Sequence, residues 1–259
     1  MQPLSDELVA LAGRLADASG AIARRYFRSG VGPEIKPDNS PVTIADREAE
    51  AAIRKLIGES HPDHGVIGEE YGADRPDAEF VWVLDPIDGT KSFITGRPLF
   101  GTLIAFAQRG RPVLGVVDHP ALGERWVGAA GHPTLMNGKP VRTRPCPEAA
   151  DAALFASSPH LFDDVPEAFA RVRRATRQVL YSSDCYAYGL IASGFADLLV
   201  DAKMAIYDYL AAVPVVEGAG GVMTDWEGRP LTLASGDRLV AAGDARLHEQ
   251  VLRLVAGKS

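Results

Sequence analysis

The sequence has 259 residues, of which 46% are hydrophobic and 24% charged, a balance typical of a globular protein with one large domain or two closely joined halves. Its 34 acidic residues outnumber its 27 basic ones and give a net charge of −7, which argues against nucleic-acid binding because that function needs cations to displace phosphate counterions. The two cysteines are too few for a disulfide framework, so a reducing cytoplasm is the expected location.

Two helices are predicted at the start of the chain. Apolar residues recur at helical spacing after Ser5, which predicts an amphipathic helix over residues 6–27 with Ser5 as its N-cap. Charged side chains interrupt the first 20 residues, so neither a signal peptide nor a membrane span is expected there. A loop over residues 29–41 and a second helix over residues 43–57 follow.

Strands are predicted next. Short apolar runs indicate strands over residues 66–68, 80–84, 99–107, 113–117 and 125–129. A hairpin loop over residues 108–111 joins two of them, and Asn137-Gly138 is a strong turn signal. Because Pro86 lacks an N–H group and has a fixed φ, it is expected to end the ladder of the 80–84 strand.

The pattern changes after about residue 144, where strands and helices alternate as in a layered α/β half. Strands are predicted over residues 152–157, 179–181, 197–200, 221–224 and 238–242, and helices over residues 165–174, 184–193, 207–217 and 246–255. Pro214 is expected to kink the third of these helices. The chain thus divides into an N-terminal α+β half (1–144) and a C-terminal α/β half (145–259) that form one compact unit.

Carboxylates stand where predicted elements end or begin. Glu69 and Glu70 follow the 66–68 strand, Asp85 follows the 80–84 strand with Asp88 three residues on, and Asp208 opens a helix far along the chain. Each acid alone has a structural explanation: a solvated strand end, a turn, or an N-cap. Together they indicate convergence, since loops at strand ends present polar groups to one site.

Converging carboxylates repel one another unless protons or cations intervene. Oxygen ligands suit hard cations, with Mg²⁺ the leading candidate. Gly89 permits an unusual backbone angle and the close approach of a ligand, and Thr90 adds a hydroxyl group. Backbone N–H groups after Gly89 could hold phosphate oxygens.

Several segments together resemble the inositol monophosphatase superfamily, whose members are Mg²⁺-dependent, lithium-sensitive phosphomonoesterases. They are residues 68–70 (GEE), 82–90 (WVLDPIDGT), 207–208 (YD) and 217–221 (EGAGG). The resemblance runs over nearly the whole chain, with Tyr207 standing where the family usually has Trp. It implies an α/β (α+β) fold, a layered α-β-α-β-α sandwich of the inositol monophosphatase and fructose bisphosphatase type, commonly assembled as a homodimer.

The resemblance also implies a set of site residues. One Mg²⁺ would be held by Glu69, Asp85 and the Ile87 carbonyl, a second by Asp85, Asp88 and Asp208, and a third, looser ion would lie near Glu69.

The same likeness assigns roles in catalysis. Asp46 and Thr90 would orient the attacking water and, with Glu69, make up the catalytic set. The N–H groups of Gly89 and Thr90 would hold the phosphate. No covalent intermediate is needed, so neither cysteine is required as a nucleophile.

Three segments resemble the histidinol-phosphatase branch of the superfamily and indicate the substrate. They are residues 91–102 (KSFITGRPLFGT), 184–188 (DCYAY) and 207–210 (YDYL). That likeness implies hydrolysis of L-histidinol phosphate in histidine biosynthesis, with no nucleic-acid or membrane partner. The cationic amine and imidazole of this ester call for acids, and Asp184 and Asp201 are the candidates. Helix capping is the alternative explanation of Asp184, and a solvated strand end is that of Asp201.

Two other functions stay open. An inositol-1-phosphate or broader sugar-phosphate phosphatase shares the same metal ligands. A non-catalytic phosphate sensor is disfavoured, because Glu69, Asp85, Asp88, Thr90 and Asp208 are all present.

Overall fold

The computed structural model describes residues 4–30, 32–35 and 41–258. The described helices are α1 (Asp6–Tyr26), α2 (Ile44–Ser60), α3 (Thr90–Ile94), α4 (Pro166–Ala175), α5 (Tyr186–Ala192), α6 (Ile206–Tyr209), α7 (Ala212–Gly218) and α8 (Ala245–Val255). The described strands are β1 (Glu34–Ile35), β2 (Pro41–Val42), β3 (Gly65–Gly68), β4 (Gly72–Asp74), β5 (Phe80–Asp88), β6 (Gly101–Gln108), β7 (Arg111–His119), β8 (Glu124–Ala129), β9 (Leu135–Met136), β10 (Lys139–Pro140), β11 (Ala153–Ala156), β12 (Gln178–Tyr181), β13 (Leu198–Asp201), β14 (Val222–Asp225) and β15 (Leu239–Ala242).

The first two helices begin where the sequence predicts. Ser5 caps α1, its hydroxyl oxygen accepting a hydrogen bond from the Leu8 N–H. Thr43 caps α2, and its hydroxyl oxygen accepts a hydrogen bond from the N–H of Ala45. The predicted loop over residues 29–41 contains β1 and meets β2 at its end, and its residues 31 and 36–40 lie outside the described part of the chain.

The larger sheet has eight strands in the order β10-β9-β8-β7-β6-β5-β3-β4. Neighbouring strands of this sheet are antiparallel, except for the parallel pair β3–β5. Both predicted turns are confirmed: Arg109 and Gly110 adopt φ of 50° and 78°, and Asn137 and Gly138 adopt 47° and 78°. Positive φ at both central residues gives the backbone twist that a two-residue hairpin needs.

Strand β5 does not end where Pro86 predicted. Asp85 pairs with Leu103, the register then shifts, and Asp88 pairs with Gly101, so the strand carries an irregularity and continues. The Pro86 carbonyl accepts a hydrogen bond from the Thr102 hydroxyl at 2.8 Å, which ties the irregular segment to β6. The missing N–H of proline is tolerated here because bulged residues leave the ladder.

The smaller sheet has the order β12-β11-β13-β15-β14. Strand β11 is parallel to both of its neighbours, whereas β15 is antiparallel to β13 and β14. Helices α1 and α2 pack on the larger sheet, α5 and α7 contact both sheets, and α8 packs on the smaller sheet beside α4. These five layers confirm the predicted α-β-α-β-α sandwich.

The prediction of a single helix over residues 207–217 is wrong, because the chain forms two helices, α6 and α7, separated by Leu210 and Ala211. Pro214 is therefore the third residue of α7 rather than a residue deep within a helix. At that position its missing N–H costs nothing, since the first-turn N–H groups have no partner inside the helix.

The two sheets share a buried core. The larger sheet ends at Pro140 and the smaller begins at Ala153, while one hydrophobic cluster joins Val81 and Leu103 to Leu199 and Met223. The division at residues 144 and 145 stays a prediction. None of the described helices is long and apolar enough to cross a membrane.

Candidate metal centre

Three carboxylates from distant parts of the sequence meet at one place. One oxygen each of Asp85, Asp88 and Asp208 lies within 4.8 Å of the others. Asp85 and Asp88 flank the irregular segment of β5, and Asp208 is the third residue of α6. The irregularity matters because an unbroken strand would turn residues an odd number apart to opposite faces of the sheet.

A backbone N–H group holds each of these carboxylates. Oxygen Oδ1 of Asp85 accepts from Ile87 at 3.0 Å, Oδ2 of Asp88 accepts from Cys185 at 2.7 Å, and Oδ2 of Asp208 accepts from Ala205 at 2.7 Å. One oxygen of each group is thereby fixed in direction. Each of the three residues also offers one carboxylate oxygen to the group that could hold a metal ion.

The electrostatics of the cluster favour a cation. Burial, and then the charges of Glu69, Asp88 and Asp208, raise the pKa of Asp85 well above its ordinary value. Burial also raises the pKa of Asp208 to about 7. A divalent cation offsets both the desolvation and the mutual repulsion of these groups, and carboxylate oxygens are the donors that Mg²⁺ takes. The cluster therefore could bind a metal ion.

Glu69 lies beside this cluster. It follows β3 directly, and its charge raises the pKa of both Asp85 and Asp208. The carbonyl of Ile87, the other predicted ligand, accepts a hydrogen bond from the Thr90 hydroxyl at 3.2 Å. The division of ligands between separate ions stays a prediction.

The turn that carries Glu69 is held by Glu50, which the sequence analysis missed. The fully buried Glu50 carboxylate accepts the N–H groups of Glu70 at 2.8 Å and Tyr71 at 3.2 Å, and pairs with Arg54 at 2.7 Å. The sequence contains one indication of this contact: Asp46, Glu50 and Arg54 are spaced four residues apart, which places them on the same face of α2.

Asp46 and Thr90 are brought together as the resemblance implied. The Thr90 hydroxyl lies 3.5 Å from Oδ1 of Asp46, while Oδ2 accepts the N–H and the hydroxyl proton of Thr43 at 2.9 and 2.6 Å. Burial raises the pKa of Asp46. A buried, oriented carboxylate of this kind has one oxygen available for a proton from Thr90.

Gly89 lies against Asp184. Gly89 has φ of 81° and caps α3, and a Cβ there would stand 2.8 Å from Cγ of Asp184, so both the backbone angle and the space require glycine. The Asp184 carboxylate accepts a hydrogen bond from the Ser92 hydroxyl. Burial raises its pKa, and the neighbouring Arg97 and Lys91 act in the opposite direction. Contact of Asp184 with a substrate stays a prediction.

The interpretation of Asp201 as a solvated strand end is wrong. It is the last residue of β13, is fully buried, and accepts the Ser157 N–H at 2.9 Å and hydroxyl at 2.7 Å. Burial raises its pKa to about 7. Whether it contacts a substrate stays a prediction.

Comparisons with known proteins agree with this geometry. A sequence model described as the inositol monophosphatase family matches residues 4–258. The chloroplastic bifunctional phosphatase IMPL2 of Arabidopsis thaliana is 49% identical over 95% of this chain and 74% of its own length. A histidinol-phosphatase of Chlorobaculum parvum is 39% identical over 91% of this chain and 92% of its own. A solved inositol monophosphatase structure from Zymomonas mobilis is 46% identical, with a TM-score of 0.89 over 97% of this chain and 98% of that one.

Proposed function

This chain belongs to the inositol monophosphatase family, and on that premise we propose that it is a Mg²⁺-dependent phosphomonoesterase that converts L-histidinol phosphate to L-histidinol and phosphate in histidine biosynthesis. The observation that carries the proposal is the meeting of Asp85, Asp88 and Asp208 within 4.8 Å. Family membership supports the broader statement, phosphoric monoester hydrolase, most directly. The narrower choice of substrate draws on the relatives named histidinol-phosphatase.

The residues that would hold two or three Mg²⁺ ions are Glu69, Asp85, the Ile87 carbonyl, Asp88 and Asp208. Bound Mg²⁺ supplies positive charge that neutralises the phosphate and lowers the pKa of a water molecule. The N–H groups fixed on Asp85, Asp88 and Asp208 keep the ligand oxygens in place, so little reorganisation accompanies binding.

The attacking water gives up its proton through Thr90 and Asp46. The Thr90 hydroxyl has one proton, which it donates either to Asp46 or to the Ile87 carbonyl. When it points to Asp46, the Thr90 oxygen accepts a proton from water as its own proton passes to Oδ1. The raised pKa of Asp46 makes that carboxylate a stronger base.

The phosphate is proposed to rest on the N–H groups of Gly89 and Thr90. The water oxygen forms the new bond to phosphorus, the ester bond to the alcohol oxygen breaks, and that oxygen takes a proton from solvent. Both the φ of 81° and the close contact with Asp184 require glycine at position 89. Gly89 therefore has no side chain that could obstruct the phosphate.

The alcohol part of the substrate separates the two candidate functions. Asp184 lies over Gly89, where a carboxylate suits the ammonium or imidazolium of L-histidinol phosphate. Asp201 is a second acid proposed for this contact, although Ser157 occupies both of its oxygens. The alternative, an inositol-1-phosphate or broad sugar-phosphate phosphatase, is favoured by the 46% identity to a solved inositol monophosphatase.

A substrate panel tests the choice. Phosphate release from L-histidinol phosphate, inositol 1-phosphate and fructose 1,6-bisphosphate is measured with Mg²⁺ and compared as kcat/KM. We expect the highest value for L-histidinol phosphate. A higher value for the inositol ester would replace the proposed substrate and leave the phosphatase assignment intact.

Three further properties are proposed from the family likeness. Inhibition by Li⁺ is tested by repeating the panel with added Li⁺, and homodimer formation by light scattering of the purified chain. Cytoplasmic location is tested by fractionating cells of the source organism.

A further inference from the structure

We propose that Cys185 and His119 form a positioning pair that fixes the Asp88 carboxylate in the direction needed to bind a cation. The inference rests on the proposed function, in which Asp88 is a metal ligand. It concerns two residues to which the proposed mechanism gives no role.

Cys185 contacts both Asp88 and His119. Its N–H donates to Oδ2 of Asp88 at 2.7 Å, and its Sγ lies 3.7 Å from Nε2 of His119. On the other side of the imidazole ring, Nδ1 lies 3.0 Å from the carbonyl oxygen of Phe100. A continuous chain of polar contacts therefore runs from the backbone beside β6 to the carboxylate of Asp88.

The protonation states of the pair agree with this chain. Burial lowers the pKa of His119 to about 4, so the imidazole is neutral at physiological pH and one of its ring nitrogens can accept. The thiol then donates to Nε2 of His119, and the Nδ1–H of the same ring donates to Phe100, so that each contact joins one donor to one acceptor.

The loop before Cys185 needs such an anchor. Ser182 and Asp184 adopt φ of 59° and 47°, in the left-handed region that residues with side chains rarely enter. Conformations of this kind persist only where the surroundings hold them. Arg97 donates to the Ser182 carbonyl at 2.7 Å, the Ser182 N–H donates to the Ser157 carbonyl at 3.1 Å, and Ser92 donates to Asp184. The contact between the Cys185 side chain and His119 adds a further attachment of the loop.

The pair also lies against the strand residue that faces Asp88. Gly101 pairs with Asp88 in the sheet, and a Cβ on Gly101 would stand 2.6 Å from the Cys185 sulfur and 2.9 Å from Cε1 of His119. Tyr186 closes the other side, its ring meeting that of His119 edge to face at 4.9 Å. Cys185 is 2% exposed and His119 is fully buried, so packed neighbours enclose both side chains.

The test is Mg²⁺ binding to the metal-free protein, measured by titration calorimetry. Cys185→Ala removes the contact with His119, and we expect Mg²⁺ to bind about tenfold more weakly, at the low end of effects seen when a neighbour of a metal ligand is removed. Cys185→Ser keeps a small hydrogen-bond donor and should bind Mg²⁺ nearly as well as wild type. Cys146→Ala is the matched control, because Cys146 is also buried but belongs to the core of the smaller sheet.

A second variant guards against a failure to fold. His119→Phe keeps a ring of similar size and loses both hydrogen bonds, so it should weaken Mg²⁺ binding as much as Cys185→Ala does. The double variant should bind no more weakly than either single one if the two residues act together. Circular dichroism checks that each variant is folded.

The outcomes separate the two proposals. Equal Mg²⁺ affinity in wild type and Cys185→Ala, or an equal loss in Cys146→Ala, would overturn the positioning role alone. A wild-type chain that binds no Mg²⁺ would overturn the proposed function and this inference with it.

Discussion

Glu50 lies directly against Gly68, so closely that a methyl group on Gly68 would overlap its carboxylate. The contact sets a fully buried acid of α2 beneath the turn that carries Glu69. Because the same carboxylate accepts the N–H groups of Glu70 and Tyr71, the position of this predicted metal ligand depends on a residue one helix away.

Glu50→Gln is therefore expected to weaken both the fold and the site. The amide has only one acceptor oxygen for two N–H donors, and Arg54 loses its buried ionic partner. We expect the free energy of unfolding to fall by about 1–3 kcal/mol, measured by urea denaturation, and Mg²⁺ to bind more weakly. Glu59→Gln is the control, since Glu59 is an exposed acid of the same helix, 3.9 Å from Lys55. Equal behaviour of the two variants would contradict the role given to Glu50.

Thr90→Val tests the proton route. It removes the hydroxyl group between the attacking water and Asp46 while keeping the side-chain shape, so kcat should fall by about 10²–10⁴-fold. Mg²⁺ affinity should change little, because the side chain of Thr90 is not a proposed ligand. Thr90→Ser restores the hydroxyl and should recover most of the activity. A Thr90→Val enzyme that turns over at the wild-type rate would rule this route out.

The pH dependence of stability tests the protonation of two buried carboxylates, Asp208 and Asp201. Burial raises the pKa of Asp208 and of Asp201 to about 7 in the folded chain, from 3.8. The unfolded chain releases these protons first, so the free energy of unfolding of the metal-free protein should fall as the pH rises from about 4 to about 7. His119, whose pKa is lowered to about 4, acts in the opposite direction and is not a metal ligand.

Comparing melting curves with EDTA and with Mg²⁺ cancels the contribution of His119. Because Mg²⁺ competes with protons for Asp85, Asp88 and Asp208, the increase in melting temperature on adding it should be small near pH 5 and larger near pH 8. Asp208→Asn should flatten this dependence. An increase that is the same at both pH values would mean that these acids do not bind the ion.

Asp184→Asn tests the recognition of a cationic alcohol. The variant keeps the size of the side chain and removes its charge, so KM for L-histidinol phosphate should rise about tenfold, whereas KM for inositol 1-phosphate, whose alcohol part is uncharged, should stay the same. Asp201→Asn tests the second proposed acid in the same assay. Equal changes for both substrates would assign Asp184 a structural role on Gly89 instead.

Much of the fold could be predicted from local patterns. The helix after Ser5 and the hairpin turn at Asn137-Gly138 follow from a cap and from turn residues, whose physics is confined to a few neighbouring residues. The errors at Pro86 and Pro214 have one cause. Proline limits where a backbone can donate a hydrogen bond, but only the tertiary structure decides whether the chain bulges or begins a new helix there.

The site shows the same limit. Spacing and family likeness pointed to Asp85, Asp88 and Asp208, which do meet. Glu50, Cys185 and His119 went unrecognised because their roles depend on contacts between residues far apart in sequence, such as the 66 positions between His119 and Cys185. No periodicity or motif of this sequence marks the contact between His119 and Cys185.

We propose that a cation held by Asp85 and its neighbours drives the hydrolysis of a phosphate ester. The most direct test measures phosphate release from L-histidinol phosphate by wild type and Asp85→Asn, each with Mg²⁺ and with EDTA, after circular dichroism has shown that both are folded. We predict Mg²⁺-dependent release by wild type and at least about a thousandfold loss in the variant, since the cation supplies several kcal/mol of transition-state stabilisation. Near-normal Mg²⁺-dependent release by Asp85→Asn would contradict the claim.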